Sequence, residues 1–358
     1  MPVGFPAAAS GVDIDILQRL FTPEEAELAL NLSAFPEPAA TIHKRVRTMT
    51  LSQLTAALDS MSDKGLLLRI PAKGGYRYSK LIFAIGMYER QMNRLTPEFE
   101  RESRQYMDEA FRYAFHNKKT TQMRVVPVNR TIPTERNVAT HEDIRAYVEA
   151  SPGPFARMTC ICRHGRDLLG EKCKQTSLRD NCLTLNMAAR MIVKHGLGHF
   201  ISREEVLELL DQADKDGLVL QPENTKQPLF VCCCCGCCCG VLTSAKQFPN
   251  PAEYFSSNFL ARVKADDCEA CGECEVRCQM DAIRTATDGK SEVDQARCIG
   301  CALCVATCPS GAMQLEKKAN GKITPDDTRA LYMTLLRERY GPLRTTLMVA
   351  GSLVGRKV

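Results

Sequence analysis

Residues 268–278 read CEACGECEVRC, and residues 298–308 read CIGCALCVATC, with Pro309 following the second run. Both runs have the spacing C-x2-C-x2-C-x3-C, and each cysteine of the second lies 30 residues after its counterpart in the first. A motif repeated at a constant offset is typical of a pseudo-symmetric unit. Thiolate sulfur is a soft ligand that favours iron–sulfur clusters and zinc. The two runs therefore predict a paired metal-binding unit.

The two runs resemble the 2[4Fe-4S] ferredoxin domain, in which the fourth cysteine of each motif binds the other cluster. The resemblance covers residues 262–316 and implies a ferredoxin-like fold that holds two [4Fe-4S] clusters. By position it assigns one cluster to Cys268, Cys271, Cys274 and Cys308, and the other to Cys298, Cys301, Cys304 and Cys278. Clusters of this family move single electrons, usually at low potential.

One departure from the family is Gln279, which follows Cys278 where proline is usual. The change removes no ligand, and it is expected to alter either the rigidity of the loop or the potential of the cluster. Gly272 and Gly300 suit loops that wrap closely around a cluster. A pair of zinc sites is the alternative, but zinc sites separate their C-x2-C pairs by a longer gap.

The composition indicates a soluble globular chain of two or three domains, with 358 residues, 44% of them hydrophobic and 25% charged. No run of about 18 apolar residues predicts a membrane span, and the first residues do not resemble a signal peptide. A cytoplasmic location is expected, where reduced thiols are free to bind metal. The net charge of +5 is too small to indicate nucleic-acid binding.

Eleven of the nineteen cysteines lie outside the two ferredoxin runs, between residues 160 and 239. Seven of them fall in residues 231–240, VCCCCGCCCG. Three interpretations stay open: one further cluster with ligands from the whole region, a non-cubane or larger cluster, or free thiols. Metal binding is favoured because exposed thiolates oxidise readily. Adjacent residues of a strand point to opposite faces, so the chain must turn at Gly236 or Gly240 to bring vicinal cysteines together.

The central block resembles bacterial 4Fe-4S dicluster-domain proteins that carry a C-x-C-R segment and a CNCC-x-CC block. Cys233 stands where that pattern usually has asparagine, so it is left out of the expected ligand set. The expected metal ligands are Cys160, Cys162, Cys173, Cys182, Cys232, Cys234, Cys235, Cys237 and Cys238. A weaker likeness to the CCG domains of heterodisulfide reductases suggests a non-cubane cluster, but the CCG spacing is not reproduced.

A basic patch surrounds the first of these cysteines and consists of Arg163, His164, Arg166, Lys172 and Lys174. It is interpreted as an offset for cluster charge, as a site for an anionic substrate, or as a solvated face.

The sequence predicts an α+β protein with four regions: a mainly helical, winged-helix-like domain (1–118), a central α/β Cys-rich domain (119–258), a ferredoxin domain (259–318), and a C-terminal helix and tail (319–358). The first region has no cysteine over residues 12–115. Its expected elements include a helix after the capping box of Thr22 and Glu25, and a long helix at 97–115.

A helix at 51–64 followed by a strand–turn–strand suggests the winged-helix likeness. This helix has one cation, Lys64, against Asp59 and Asp63, whereas DNA-reading helices are rich in Arg, Lys, Asn or Gln. Protein docking or assembly into a homo-oligomer is therefore favoured over DNA binding.

Residues 58–68, LDSMSDKGLLL, align without gaps on residues 210–220, LDQADKDGLVL, and suggest that a helix–Gly–strand unit is used twice. A polar connection at 120–139 leads to a helix near 141–150. Another helix is expected at 325–340, with a flexible or partner-docking tail after Gly341.

These features predict a multi-cluster electron-transfer protein that connects a donor to a partner oxidoreductase. A basic partner is expected at an acidic ferredoxin surface formed by Asp266, Asp267, Glu269, Glu273 and Glu275. The alternative is an iron–sulfur reductase whose central cluster is the active site. A redox-sensing regulator is a third hypothesis. No G-x-G-x-x-G fingerprint indicates a bound nicotinamide or flavin.

Overall fold

The structure is a computed structural model that describes residues 1–128 and 142–358. Its described residues divide into two compact units, one formed by Met1–Phe115 and Tyr332–Val358 and the other by His116–Leu331. Helices and strands occur in both units, so the fold is α+β. None of the helices in the described ranges is long and apolar enough to cross a membrane. Part of the predicted connection, residues 129–139, and the start of the helix expected near 141 lie outside the described residues.

The first unit begins with a run of helices and short strands. Its elements are α1 (Val12–Leu20), α2 (Pro23–Leu30), β1 (Glu37–Pro38), α3 (Ala39–His43), α4 (Leu51–Asp63), β2 (Leu67–Ala72), β3 (Gly75–Lys80), α5 (Pro97–Tyr106) and α6 (Arg112–Phe115). The capping box of Thr22 and Glu25 is confirmed at the start of α2. A π-helical segment, Met107–Phe111, joins α5 to α6, so the predicted helical run at 97–115 is also confirmed.

The strands of this unit form an antiparallel sheet in the order β1-β3-β2, which confirms the predicted strand–turn–strand. Leu54, Leu58 and Met61 on one side of α4 are buried in the core beside Tyr78 of β3. The Tyr78 hydroxyl donates a hydrogen bond to Asp59 at 2.9 Å and so ties the sheet to α4. The winged-helix likeness stays a prediction.

The second unit contains the central cysteines on and around an antiparallel sheet. Its elements are α7 (Ile144–Ala150), β4 (Phe155–Met158), α8 (Ile161–Leu168), β5 (Cys182–Leu185), α9 (Asn186–Lys194), β6 (Gly198–Ile201), α10 (Arg203–Lys215), β7 (Val219–Pro222), β8 (Phe230–Cys234) and α11 (Gly240–Ala245). The strand order is β6-β4-β5-β8-β7, and each neighbouring pair is antiparallel. The expected α/β region therefore differs from a strict α/β domain, whose strands are parallel because long crossovers connect them.

The helix–Gly–strand unit does occur twice. In the first copy α4 ends before Gly65 (φ 78°) and β2 follows; in the second α10 ends before Gly217 (φ 71°) and β7 follows. Both helices begin with a capping box, at Thr50 and Ser202. Both copies continue into an antiparallel hairpin, β2–β3 and β7–β8. The second hairpin places the first three cysteines of the dense run, Cys232, Cys233 and Cys234, on β8.

The ferredoxin part follows the central sheet. Its elements are β9 (Phe259–Val263), α12 (Glu273–Arg277), β10 (Ile283–Thr285), β11 (Ser291–Val293), α13 (Leu303–Thr307) and β12 (Met313–Lys317). β9 pairs with β12 and β10 with β11, both antiparallel. The 30-residue offset of the cysteines extends to the backbone, because left-handed residues recur in pairs: Ala270 and Gly300, Gly272 and Ala302, Asp281 and Gly311.

Two helices end the chain, α14 (Thr328–Tyr340) and α15 (Pro342–Leu353). The helix expected at 325–340 is confirmed as α14, although it starts three residues later, where Asp327 accepts the N–H of Ala330 at 2.8 Å. The segment after Gly341, expected to be flexible or to dock on a partner, is helical over Pro342–Leu353, so the flexible alternative is wrong and partner docking stays a prediction. Proline at its first position suits a helix start, since the fixed φ of proline matches the first turn.

The close packing at Gly300 generates a stability prediction. A Cβ atom at Gly300 (φ +67°) would lie 2.1 Å from the carbonyl oxygen of Phe259, whereas at Gly311 (φ +69°) no atom lies within 4 Å. In both variants the free energy of unfolding falls by about 1 kcal/mol, because alanine is strained in the left-handed backbone conformation. We expect Gly300→Ala to lose about 2 kcal/mol more than Gly311→Ala because of overpacking, as measured by anaerobic denaturant unfolding. Equal losses in the two variants would contradict this packing.

Candidate metal centres

The second predicted ferredoxin ligand set is brought together around one cavity. Its four cysteines line this cavity: Cys278, Cys298, Cys301 and Cys304. Apolar side chains, among them Met280, Ile283 and Leu303, complete the lining. Burial raises the pKa of Cys301 to about 12, because the apolar surroundings disfavour the thiolate. A bound cluster supplies the positive iron charge that deprotonates such ligands.

The first predicted set lies closer to the surface. Cys271 is exposed, Cys268 and Cys308 are half-buried, and Cys274 is buried. Cys308 directly follows α13, which packs beside α12, the helix that carries Cys274. Backbone N–H donors from Ser291 and Ala270 lower the pKa of Cys268. The two sets therefore differ in exposure.

Backbone amides donate to the sulfur atoms of both sets. The N–H of Ala282 lies 3.3 Å from the sulfur of Cys278, and that of Met313 lies 3.4 Å from the sulfur of Cys308. Hydrogen bonds to the thiolates of an iron–sulfur cluster tune its reduction potential. The loops thus supply both the cysteine ligands and the N–H donors that such a cluster requires.

Residues 261–315 match the 4Fe-4S dicluster domain. The match confirms the dicluster part of the resemblance and supports two [4Fe-4S] clusters in this part of the chain.

A curated relative is a subunit of the ion-translocating oxidoreductase complex of Methanosarcina acetivorans, which is 43% identical over 49 residues. The alignment covers 14% of this chain and 18% of that protein, so the chain spans less than a fifth of the relative's length. No solved structure matches the chain. Together, the domain match and the relative indicate iron–sulfur electron transfer.

Ten of the eleven central cysteines separate into two groups, and Cys233 belongs to neither. The first, here called the four-thiol group, consists of Cys173, Cys235, Cys237 and Cys238. All four sulfur atoms lie within 4.8 Å of one another. The sulfur of Cys173 is 3.7 Å from that of Cys235 and 3.8 Å from that of Cys237, and the sulfurs of Cys237 and Cys238 are 3.6 Å apart.

The second, here called the six-thiol group, is a chain of neighbouring side chains. Each thiol contacts the next in the order Cys160, Cys162, Cys239, Cys234, Cys232 and Cys182. The group therefore spans α8, β5, β8 and the start of α11. The segment at 160–182 contributes to both groups, because Cys173 belongs to the four-thiol group.

Strand alternation explains the division. Cys232 and Cys234 lie two residues apart on β8 and share a face, and Cys232 is paired directly with Cys182 of β5. Cys233 points to the opposite face, where it is buried in the apolar core. After Cys234 the strand ends, and the chain turns through Gly236. This turn directs the next three cysteines into the four-thiol group.

Sequence reasoning missed Cys239, which contacts both Cys162 and Cys234. The side-chain amide of Gln221 lies 3.9 Å from its sulfur and donates to it. Cys239 is the residue before α11, and the resemblance used for the sequence prediction ended at Cys238. The alternation of faces along β8 ends at Cys234, so it does not predict where the side chain of Cys239, five residues later, is placed.

A buried arginine lies between the two groups. The Arg163 side chain is 1% exposed and donates to the Asn181 side chain at 2.7 Å and to the Cys233 carbonyl at 3.0 Å. Burial by itself lowers the pKa of Arg163, but its electrostatic interactions with the thiols of Cys160, Cys235 and Cys234 outweigh burial and raise it. Its Nε atom is buried and has no hydrogen-bond partner, so this N–H is left to donate to a thiolate or sulfide sulfur of a bound metal centre.

The rest of the predicted basic patch is not gathered around the thiols. Arg166 forms an ion pair with Glu171, and Lys172 and Lys174 are exposed. Arg163 alone among the arginines and lysines of the patch is buried against the cysteines in the described structure, so the charge-offset interpretation fits that residue.

One thiol in each group is held toward its ionised form. A hydrogen bond from Cys238 lowers the pKa of Cys235, and one from Cys232 lowers the pKa of Cys234. The thiolate is the form of cysteine that binds metal. The donor sets, the orphaned Arg163 Nε and the close sulfurs all fit thiolate-bound metal.

The grouping generates a prediction for two neighbouring buried cysteines. Cys239→Ala should lower the iron content by about four atoms per chain, with a matching loss of acid-labile sulfide, because it breaks the six-thiol group. Cys233→Ala should leave both values unchanged, because its thiol belongs to neither group. Anaerobic iron and sulfide analysis measures both variants. An unchanged iron content in Cys239→Ala would contradict the grouping.

Proposed function

We propose that the protein relays single low-potential electrons between a donor and a partner oxidoreductase. The relay uses two ferredoxin-type [4Fe-4S] clusters and a third iron–sulfur cluster in the central region. One ferredoxin cluster is held by Cys268, Cys271, Cys274 and Cys308, and the other by Cys278, Cys298, Cys301 and Cys304. The domain match at residues 261–315 and the named function of the relative support this proposal.

The difference in exposure supports a direction for the relay. Cys271 of the first cluster set is exposed, whereas Cys298 and Cys304 of the second set are buried. Electron transfer between proteins is fastest where a cluster approaches the surface, so the partner docks beside Cys271. The second cluster then connects the first to the central region.

The observation that carries the proposal is a direct contact between the ferredoxin loop and the central cysteine run. The backbone N–H of Gly236 donates to the side-chain oxygen of Gln279 at 2.8 Å. A Cβ atom on Gly236 would lie 2.2 Å from the Gln279 carbonyl oxygen, so only glycine permits this approach. Gln279 follows Cys278, and Gly236 lies between Cys235 and Cys237. A hydrogen bond therefore joins the two cysteine regions.

Two ion pairs hold the same contact from either side. Lys246 pairs with Asp281 at 2.8 Å. The Arg277 guanidinium donates to the Lys215 carbonyl at 2.7 Å and lies 3.6 Å from the Asp214 carboxylate. These contacts keep the ferredoxin loop against the end of α10 and the end of α11.

The surface beside Cys271 supports a partner with a basic face. The acidic residues predicted there are all exposed: Asp266, Asp267, Glu269, Glu273 and Glu275. Val276 is 84% exposed within the same surface and offers an apolar contact. Complementary charge accelerates encounter between redox partners.

For the N-terminal region we propose a winged-helix-like docking or dimerisation role, in a cytoplasmic protein, rather than DNA binding. Two cations of α4 and the following strand are already paired: Lys64 with Glu25 at 2.6 Å, and Arg69 with Asp59 at 2.7 Å. Paired cations contribute little to phosphate binding, which depends on Lys and Arg that can release counterions.

The contact at Gln279 provides a kinetic test of the relay. We expect Gln279→Met to slow electron arrival at the central cluster several-fold without loss of iron, because the hydrogen bond to Gly236 is removed. Freeze-quenched EPR after rapid reduction of the ferredoxin clusters measures this step. Gln295→Met is the matched control, since Gln295 donates to the Ala261 carbonyl at 2.8 Å within the ferredoxin part. Equal rates in both variants would reject this route, and a missing central signal would reject the relay.

The acidic surface provides a second test. Glu269→Gln combined with Glu273→Gln should slow reduction by the cation radical of methyl viologen several-fold at low salt. Glu292→Gln combined with Glu316→Gln is the control, because both glutamates are exposed but form ion pairs with arginines. Stopped-flow reduction at two salt concentrations measures the effect. A loss of rate in the control pair alone would place docking elsewhere.

A further inference from the structure

The four-thiol group is more compact than a cluster site requires. A tetrahedral metal ion with metal–sulfur bonds of about 2.3 Å places its sulfur ligands about 3.8 Å apart. The measured separations from Cys173 to Cys235 and Cys237 are 3.7 Å and 3.8 Å, and that from Cys237 to Cys238 is 3.6 Å. Cys235 also contacts Cys238 directly. Three of the six sulfur–sulfur distances thus match the edge of one coordination tetrahedron, and all six are within 4.8 Å.

A cubane cluster requires a wider arrangement. Each of its thiolates binds a different iron at a separate corner, so the sulfurs surround the cluster instead of a single ion. The ferredoxin cysteines provide an internal reference for that arrangement. In the four-thiol group, the four sulfur atoms all lie within 4.8 Å of one another. In the described part of the chain, no three of the ferredoxin cysteines have sulfur atoms this close together.

We propose that Cys173, Cys235, Cys237 and Cys238 bind a single zinc or iron ion in tetrahedral thiolate coordination. This site is separate from the six-thiol group, which binds the proposed central cluster. The assignment of the six-thiol group rests on the proposed electron relay, whereas the four-thiol site stands without it.

The surroundings of the four-thiol group suit a thiolate-bound ion. Backbone N–H groups of Lys174 and Cys238 donate to the sulfurs of Cys237 and Cys235. Four thiolates around a divalent ion carry a net charge of about −2, which a low-dielectric site must offset. The buried Arg163 guanidinium, which contacts Cys173, supplies positive charge at this position.

The site also has a structural consequence. Cys173 lies in the loop after α8, and the other three ligands belong to the turn after β8. An ion bound by both segments fixes the turn that contains Gly236. That turn donates the hydrogen bond to Gln279, so the ion stabilises the contact between the central region and the ferredoxin loop.

Metal and sulfide analysis tests the proposal, because a mononuclear site contains no acid-labile sulfide. Anaerobically purified full-length Cys237→Ala should lose about one metal ion per chain relative to wild type, with unchanged labile sulfide. Cys239→Ala in the six-thiol group is the contrasting variant and should lose iron and sulfide together. Loss of sulfide in Cys237→Ala would overturn the proposal, as would an unchanged total of zinc and iron.

Two further measurements separate the outcomes. A loss of zinc identifies the ion as zinc, and a loss of one iron without sulfide identifies it as iron; both support the site. The ferredoxin EPR signal reports whether the variant has folded. If Cys237→Ala fails to fold, X-ray absorption on the wild-type protein replaces it. A zinc or iron shell of four sulfurs without a neighbouring metal supports the site, and the detection of only metal–metal-bridged iron overturns it.

Discussion

The alternation of side chains along β8, followed by the turn at Gly236, determines where the central thiols lie. Cys232 and Cys234 share the face that meets Cys182 on the neighbouring strand. The turn then carries Cys235, Cys237 and Cys238 away from that face and toward Cys173. A backbone without a side chain at residue 236 is necessary for this path, because the Gln279 carbonyl occupies the space of a Cβ atom. The division of the cysteines and the contact with the ferredoxin loop therefore have the same origin.

The ferredoxin part has two similar halves with different surroundings. The repeated left-handed backbone positions, such as Gly272 and Ala302, keep the cysteine loops alike. One ligand set nevertheless reaches the surface at Cys271, and the other lines an apolar cavity in which Cys298 and Cys304 are buried. This asymmetry is what a relay requires, since one cluster must meet a partner while the other meets the next centre. The departure from the family pattern at Gln279 lies on the buried side, where its side chain contacts the central region.

Among the described residues, the buried cation Arg163 lies between the two sets of central thiols. A buried guanidinium is costly unless it is paired, and Cys234 and Cys235, whose pKa values are lowered, provide negative charge beside Arg163. The same residue donates to Asn181 and to the Cys233 carbonyl, so it also joins α8 to the loop before β5 and to β8. Charge compensation and the relative position of the cysteine-bearing segments thus depend on one side chain.

The sequence by itself determined the features that depend on local spacing. The two C-x2-C-x2-C-x3-C runs predicted the dicluster domain that the family match confirms at residues 261–315. Capping residues predicted the start of α2, and the echo around Gly65 and Gly217 predicted the repeated helix–Gly–strand unit. Each of these signals acts over a few residues, where backbone geometry follows directly from residue type.

Only the tertiary structure decided which distant cysteines meet. The sequence marked Cys173 and Cys182 as equivalent candidates, yet they belong to different groups because one lies in a loop and the other pairs with Cys232 across β5 and β8. Cys239 and the contact of Gln279 with Gly236 also escaped prediction. Strand register and loop packing bring together residues far apart in the chain, and these long-range pairings leave no periodic trace in the sequence.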